Sequence, residues 1–425
     1  MLRDYRRLHF DWIIIILFLM LVGFGWLNIM SASHFGEIND YFDMSKPYGK
    51  QSVFIIFTLV LIVLILALDA KFYERFSSII YVISLLSLAG LFLFGKNVNG
   101  ATAWYGIGGM TLQPSEFAKF ATSLAIAKHM SDLQTNMKSF KDQLKAVAII
   151  IIPALLILLQ NDAGSTVVYA AFFFVFYREG LQQIYLVIAV FLMLIAILSL
   201  KFNVVVSSIV SGLLVFGHHY FGQKKRPQIF QPIIILLACV LVSFGIKYFY
   251  NNILQFHQKD RISLWLRLES DASKLHEMKQ TILYNLHESE KAISSGGLTG
   301  KGFLQGTRTT GKFVPEQHTD YIFSTVGEEW GFMGSALLVI TFVALLLRIL
   351  YLAELQKSTF SRVYGYCVAS ILFFHFMINI GMVMGLIPTI GIPLPFFSYG
   401  GSALWAFTIL LFIFVKLDSN RINEW

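Results

Sequence analysis

Apolar runs of about twenty residues recur along the whole of this chain, the length at which an α-helix crosses a bilayer. In lipid every backbone polar group must find its partner within the segment, so such runs read as helices. The chain is 56% hydrophobic and 14% charged, against about 25% charged residues in soluble globular chains. Its 40 phenylalanines suit helices that face lipid. The expected fold class is therefore all-α, a polytopic integral membrane protein.

Twelve spans can be marked, at 11–31, 51–69, 77–95, 114–131, 145–160, 164–177, 182–200, 203–221, 229–250, 332–353, 361–385 and 402–417. The fourth is the least hydrophobic, because it opens with Gln113, Pro114, Ser115 and Glu116 and carries Lys119. Basic residues in short loops favour the cytoplasmic side. Arg3, Arg6 and Arg7 place the N-terminus inside; on this count Lys138, Lys141, Lys145, Lys224, Lys225, Arg226, Lys416 and Arg421 also fall inside. The acidic stretch 37–43 falls outside. Both termini are thus expected in the cytoplasm. The long polar segment 251–331 is expected outside, with the shorter pieces 97–115, 160–164 and 385–402. Residues 1–11 are polar and basic, but the run after them is long enough to span, so no cleavable signal is read. The net charge of +8 lies largely in these loops and is no sign of nucleic acid. Cys239 and Cys367 both lie in apolar runs, which supports neither a disulfide framework nor a thiolate metal site.

Ionisable groups beside a bilayer are costly and mark working sites. At the fourth span, Pro114 suits a first helical turn. Glu116 and Lys119 lie three apart on one face and can pair. This reads either as a cap with a stabilising ion pair or as a polar wall that offers a cation to an anionic headgroup. In Asn161-Asp162-Ala163-Gly164-Ser165, Asp162 can cap the sixth helix. The stretch 261–271 opens the long segment with Arg261, Arg267, Glu269 and Asp271 around Leu264, Trp265 and Leu266. It reads as an interfacial segment with Trp at headgroup depth, or as a solvated charge run. The stretch 314–330 gathers Glu316, His318, Asp320, Glu328 and Glu329 before the run that begins at Phe332. Glu328 is expected to anchor the long segment to the span that follows it. A lone His-x-Asp on a loop, without HExxH or a second His pair, does not point to a transition-metal site. Weak helical character runs over 273–293, and within it 284–290 looks like an exposed helix face. A glycine-rich turn follows at 294–302.

Six strings together resemble the SEDS family (shape, elongation, division and sporulation proteins): QPSEFAK at 113–119, NDAGS at 161–165, RISLWLRLESD at 261–271, AISSGGLTGKGFLQGT at 292–307, PEQHTDYIFSTVGEEWG at 315–331 and GIPLPFFSYGGS at 391–402. They follow the family's order and fall on one membrane face. The resemblance implies a single transmembrane domain over 1–425, a ten-helix polymerase of lipid II, the undecaprenyl-linked disaccharide pentapeptide. It implies the cytoplasmic (inner) membrane of a bacterium. The implied partners are a class B penicillin-binding protein, which crosslinks the new glycan, and other proteins of the elongation complex. The family's essential Asp matches Asp271, and its Glu–Lys pair matches Glu116 and Lys119. Asp271 is then the general base of an inverting transfer with undecaprenyl diphosphate as leaving group. Gln113, Glu116, Lys119, Asp162, Arg261, Glu316, His318, Thr319, Asp320 and Ser398 are the expected substrate-binding residues. No residue is assigned to a metal. No cofactor is assigned; a divalent cation such as Mg²⁺ is one candidate for the positive charge the diphosphate needs, beside Lys119 and Arg261.

The chain departs from the family pattern in places. Two extra spans, 203–221 and 229–250, make a helical hairpin over 203–250 around the basic turn GQKKRPQ. A hairpin preserves the side on which 251–331 emerges. About seven extra residues lie between Asp271 and Tyr284, Glu288 stands where the family has Gln, and Thr102 or Ala103 where it has Arg before Trp104. The look of PTIGIPLPFFSYGGSALWAF at 388–407 favours the elongation branch over the division branch. Other classes stay open. A lipid-linked precursor flippase would need a large central cavity and alternating access. A solute transporter would place charged or broken helices near mid-membrane, whereas polar residues here gather at the outer face. A non-catalytic scaffold of a cell-wall synthase needs neither.

Overall fold

All twelve apolar runs form helices in the computed structural model of the chain, which describes residues 10–34, 41–98, 100–107, 110–222, 230–252, 254, 256–266, 268 and 284–421. The first five are α1 (Trp12–Ser33), α2 (Pro47–Ala67), α3 (Ala70–Phe94), α4 (Pro114–Ser131) and α5 (Phe140–Leu159). The sixth run is broken: α6 (Ala163–Val168) passes through a 3₁₀ turn at Tyr169–Ala171 into α7 (Phe172–Arg178). Then come α8 (Gln183–Lys201), α9 (Val204–Gly222), α10 (Phe230–Asn252) and the short α11 (Phe256–Trp265). The remainder is α12 (Tyr284–Ser295), α13 (Thr307–Thr310), α14 (Ile322–Glu329), α15 (Gly331–Glu354), α16 (Thr359–Val383) and α17 (Gly401–Asn420). Among the described residues nine helices are long and apolar enough to cross a membrane. This is a multi-pass membrane protein.

The polar α4 is the informative exception. Most of its residues are buried, Ser115, Thr122 and Ser123 completely. It packs against α3, α16 and α17. A helix surrounded by protein needs no apolar exterior, and its threonine and serine hydroxyls return to the backbone carbonyls of Ala118 and Lys119.

One element goes beyond the all-α expectation. The polar piece after α3 folds into three short antiparallel strands, β1 (Lys96–Val98), β2 (Ala101–Ile107) and β3 (Met110–Leu112), in the order β1-β2-β3. Tyr105 faces Leu112 across the second pair. The β2–β3 pair leads straight into Gln113, the residue before α4.

The chain divides into two units. The first comprises residues 1–181, 288–384 and 390–425. In it α1 packs on α2 and α15, α17 on α2 and α4, and α16 on α4 and α15. The second comprises residues 182–287 and 385–389. In it α8, α9 and α10 pack together, with the Ser207 and Ser243 hydroxyls 3.1 Å apart. The two spans expected to form a hairpin are the helices α9 and α10, which pack on each other and on α8. The indole N–H of Trp265 donates to the Leu386 carbonyl at 3.0 Å.

Candidate functional site

The site is built where α4, α6, α16 and α17 meet the segment 390–402, at the end of the bundle that the charge pattern assigns to the outer face. Asn161 ends α5 with a φ of 62°, the left-handed conformation that Asn tolerates. That turn delivers Asp162 as the cap of α6. One oxygen accepts from the Ser165 N–H at 2.9 Å. The other accepts from the Gln113 amide at 2.9 Å and the Ser115 hydroxyl at 3.3 Å. Asp162 is therefore both a cap and the tie between α4 and α6. Gly164 matters because a Cβ there would stand 3.2 Å from the Ile390 carbonyl.

One turn along α4, the Lys119 ammonium lies 2.7 Å from Glu116 Oε1. Both side chains are buried, and Glu116 Oε2 has no hydrogen-bond partner among the described residues. Lys119 is also 2.9 Å from His375 Nε2 and 5.3 Å from the centre of the Phe407 ring. His375 Nδ1 lies 3.2 Å from the Pro393 carbonyl. The pair expected at i, i+3 is thus a three-residue cluster. A lone histidine in an apolar run is the signal that sequence reasoning could have used.

The segment 390–402 is held from several sides. The Asn379 amide donates to the carbonyls of Asp320 and Ile392 at 2.8 and 2.7 Å. The Ser398 hydroxyl accepts from the Leu394 N–H and donates to the Thr319 carbonyl at 2.7 Å. The Tyr399 N–H donates to the His318 carbonyl at 2.9 Å. Three consecutive carbonyls, of His318, Thr319 and Asp320, therefore stitch the PEQHTDY stretch to this segment. Phe396 within it is buried with a φ of 64°. Glu316 is exposed, and His318, Thr319 and Asp320 are half-buried. The Thr319 hydroxyl donates to Glu316 Oε2 at 3.0 Å. Burial holds the His318 imidazole below its ordinary range against the opposing pull of Glu316. Gln317 faces the other way, its amide donating to the carbonyls of Ala32 and Thr309.

Glu328 does not anchor the long segment to the following membrane helix. Fully buried, it accepts from Lys301 at 2.7 Å, from the N–H groups of Arg308 and Thr309, and from the Thr309 hydroxyl. It gathers the 301–309 stretch onto α14. Burial opposes its ionisation, and these donors outweigh burial to hold its carboxyl below the usual range. The tie to a membrane helix belongs to Glu329, which accepts from the Ser31 hydroxyl of α1 and from the N–H groups of Leu304 and Gly306. Burial pushes its carboxyl up, partly offset by those donors. The expected exposed face over 284–290 is also corrected. Glu288 and Ser289 are buried, because Glu288 pairs with Arg308 and with Lys291.

Arg261 lies on α11 in the second unit, half-buried. Asp271 and Arg267 lie outside the described residues. Among the described residues no three His, Cys, Asp or Glu side chains cluster so as to hold a metal ion.

Comparison with known proteins gives this arrangement a context. The model of the cell cycle protein family FtsW/RodA/SpoVE matches residues 11–226 and 207–423. The peptidoglycan glycosyltransferase RodA of Treponema pallidum is 30% identical, over 97% of this chain and 98% of its own length. The peptidoglycan glycosyltransferase MrdB of Escherichia coli K12 is 30% identical, over 98% of this chain and 95% of its own. A chain from a solved peptidoglycan synthase complex, described as coordinating polymerization and crosslinking, has the same fold, with a TM-score of 0.69 and 24% identity over 98% of this chain and 100% of its own.

Proposed function

The chain belongs to the FtsW/RodA/SpoVE family of cell cycle proteins, and from that premise we propose how it works as a peptidoglycan glycosyltransferase. Its substrate on this reading is lipid II. Asp271 takes the proton of the acceptor sugar's 4-hydroxyl, a step that contributes a factor of roughly 10²–10⁴. The freed oxygen forms a bond to the donor's anomeric carbon while the bond to the diphosphate breaks. Undecaprenyl diphosphate departs with the electron pair. One inverting displacement needs one base and no covalent intermediate.

Negative charge grows on the leaving diphosphate, where a fixed cation is most effective. Lys119 is buried with donors committed to Glu116 and His375, so it supplies positive potential through the floor of the site. Arg261 is a further candidate cation by its place in the family motif. A magnesium ion held by the diphosphate oxygens would neutralise the same developing charge. Gln113 and Asp162 shape one wall; Glu316, His318, Thr319, Asp320 and Ser398 shape the other.

The observation that carries this reading is the stitching of His318, Thr319 and Asp320 to the segment above the buried Glu116–Lys119 pair. A flippase must open and close its two faces in turn. A face held through three consecutive backbone carbonyls suits a fixed site for chemistry. We place the chain in the elongation branch, in the cytoplasmic membrane with both termini inside, working with a class B penicillin-binding protein. The test is glycan synthesis from labelled lipid II by the purified chain with that partner. Wild type should yield glycan and Asp271→Asn none. Movement of lipid across vesicles without product would support a flippase, and no product from wild type a scaffold.

A further inference from the structure

We propose that His375 is a positioning residue that couples the buried Glu116–Lys119 pair to the segment 390–402. An ammonium group has donors only, so His375 Nε2, 2.9 Å from Lys119, must accept. The ring proton then sits on Nδ1, which is 3.2 Å from the Pro393 carbonyl. That carbonyl can only accept. The two ends of the ring therefore demand the same neutral tautomer, and no other form satisfies both. The ring is held in place by the edge-on Phe407 ring, with centroids 4.7 Å apart.

Pro393 is well placed to pass this on. It has no N–H of its own and meets α16 through its carbonyl. On one side, Ile392 is tied by Asn379 to the Asp320 backbone. On the other, the Leu394 N–H is bonded to Ser398, which donates to Thr319. A cation on α4 thus fixes, through α16, the segment that holds three carbonyls of the PEQHTDY stretch. The link from this coupling to turnover rests on the polymerase reading; the coupling itself does not.

The test is amide hydrogen exchange on the full-length protein in a membrane mimetic, read on peptides covering 394–400. The N–H groups of Leu394, Phe397, Ser398, Tyr399 and Gly400 are all bonded in this stretch. His375→Leu removes both ring contacts, and Lys119→Met, made together with Glu116→Leu so that no buried charge is left unpaired, removes the donor. Each should speed exchange there by about tenfold, the loss of roughly one hydrogen bond's worth of protection, while peptides from α15 stay unchanged. His375→Gln keeps an acceptor and a donor and should remain near wild type. Equal exchange in wild type, His375→Leu and the Glu116→Leu, Lys119→Met double variant overturns the proposal, as does a Gln variant that behaves like Leu. If His375→Leu unfolds throughout, the contrast between His375→Gln and that double variant decides. Turnover of lipid II is read alongside. A loss of at least about tenfold in His375→Leu, rescued by Gln, supports the link to catalysis. Faster exchange with unchanged turnover keeps the coupling and overturns only that link.

Discussion

Ser31, in the first membrane helix, donates its hydroxyl hydrogen to the buried carboxylate of Glu329, which stands just before α15. The bond ties the end of the long loop to a helix 298 positions earlier. The other donors to Glu329 are the backbone N–H groups of Leu304 and Gly306.

Removing the Ser31 donor should therefore weaken the fold. Ser31→Ala leaves a buried carboxylate short of one bond, a loss of about 1–3 kcal/mol. Thermal unfolding in detergent should show a clear drop. An unchanged midpoint would mean that the loop is held by the backbone donors alone.

The neighbouring carboxylates should respond to pH in opposite directions. Burial raises Glu329 above its ordinary value of 4.5, so the folded state holds that proton more tightly than the unfolded chain. Its contribution to stability is full below the ordinary value and is lost as pH rises through the folded value. Glu328 is lowered from 4.5, its donors outweighing burial. Its contribution is present above the ordinary value and is lost as pH falls through the folded one. Glu329→Gln should flatten the loss of stability from mildly acidic toward neutral pH. Glu328→Gln should flatten the loss on the acid side. Unfolding midpoints across pH for both variants check the signs.

Breaking the Glu116–Lys119 pair should be severe. Removing one partner leaves an uncompensated buried charge, which costs about 3–5 kcal/mol. Glu116→Ala or Lys119→Ala should each lower both the unfolding midpoint and glycan synthesis sharply. Glu116→Leu combined with Lys119→Met removes both charges at once, so it should recover much of the stability without restoring synthesis. Two fully active, stable single variants would reduce the pair to a helix cap.

Asp271→Asn keeps the shape of the side chain and loses its basicity, so glycan synthesis should cease while expression and membrane insertion persist. Asp271→Glu shifts the carboxylate by about a bond length, and misplacement of about 1 Å can cost about 10²-fold. Asp320→Asn should be milder, because on this reading Asp320 shapes the outer cavity and is not the base. A dead Asp320→Asn beside an active Asp271→Asn would move the base to the PEQHTDY stretch.

The sidedness of the loops is open to direct labelling. Leu133 and Leu298 are both exposed, whereas the native Cys239 and Cys367 are buried. Single cysteines at Leu133 and Leu298 should react with an impermeant reagent from opposite sides, Leu298 from outside. Labelling from one side would overturn the topology.

Helices are legible in the sequence because lipid demands long apolar runs, and local spacing is enough to foresee the Glu116–Lys119 contact and the Asp162 cap. What escapes is set by distant chain. His375 reads as one polar residue in the span Thr359–Val383, and its meeting with Lys119 depends on how α4 and α16 pack. Glu288 reads as exposed until Arg308 folds back upon it. Ala101–Ile107 does carry a strand signal, Thr102, Trp104, Tyr105 and Ile107 followed by Gly108-Gly109, which a reading tuned to long apolar runs passes over; it forms β2 by pairing with β1 and β3. The broken sixth span looks continuous by composition, since its 3₁₀ turn at Tyr169–Ala171 is made of ordinary helix formers. Asp271 is found by its place in a motif, which no count of apolar periods supplies.

Phe396 offers a last consequence. A bulky side chain with φ near +64° occupies a region that disfavours it by about 1–3 kcal/mol, and such a residue persists only where its surroundings over-determine it. Here the surroundings are Asn379, Ser398, His318 and Pro393 with their bonds. The segment therefore gives up its conformational freedom once, during folding, and not at each encounter with a sugar chain. On the polymerase reading proposed above, a substrate arriving at such a rim would meet a die already cut, leaving its binding energy to align the reacting groups.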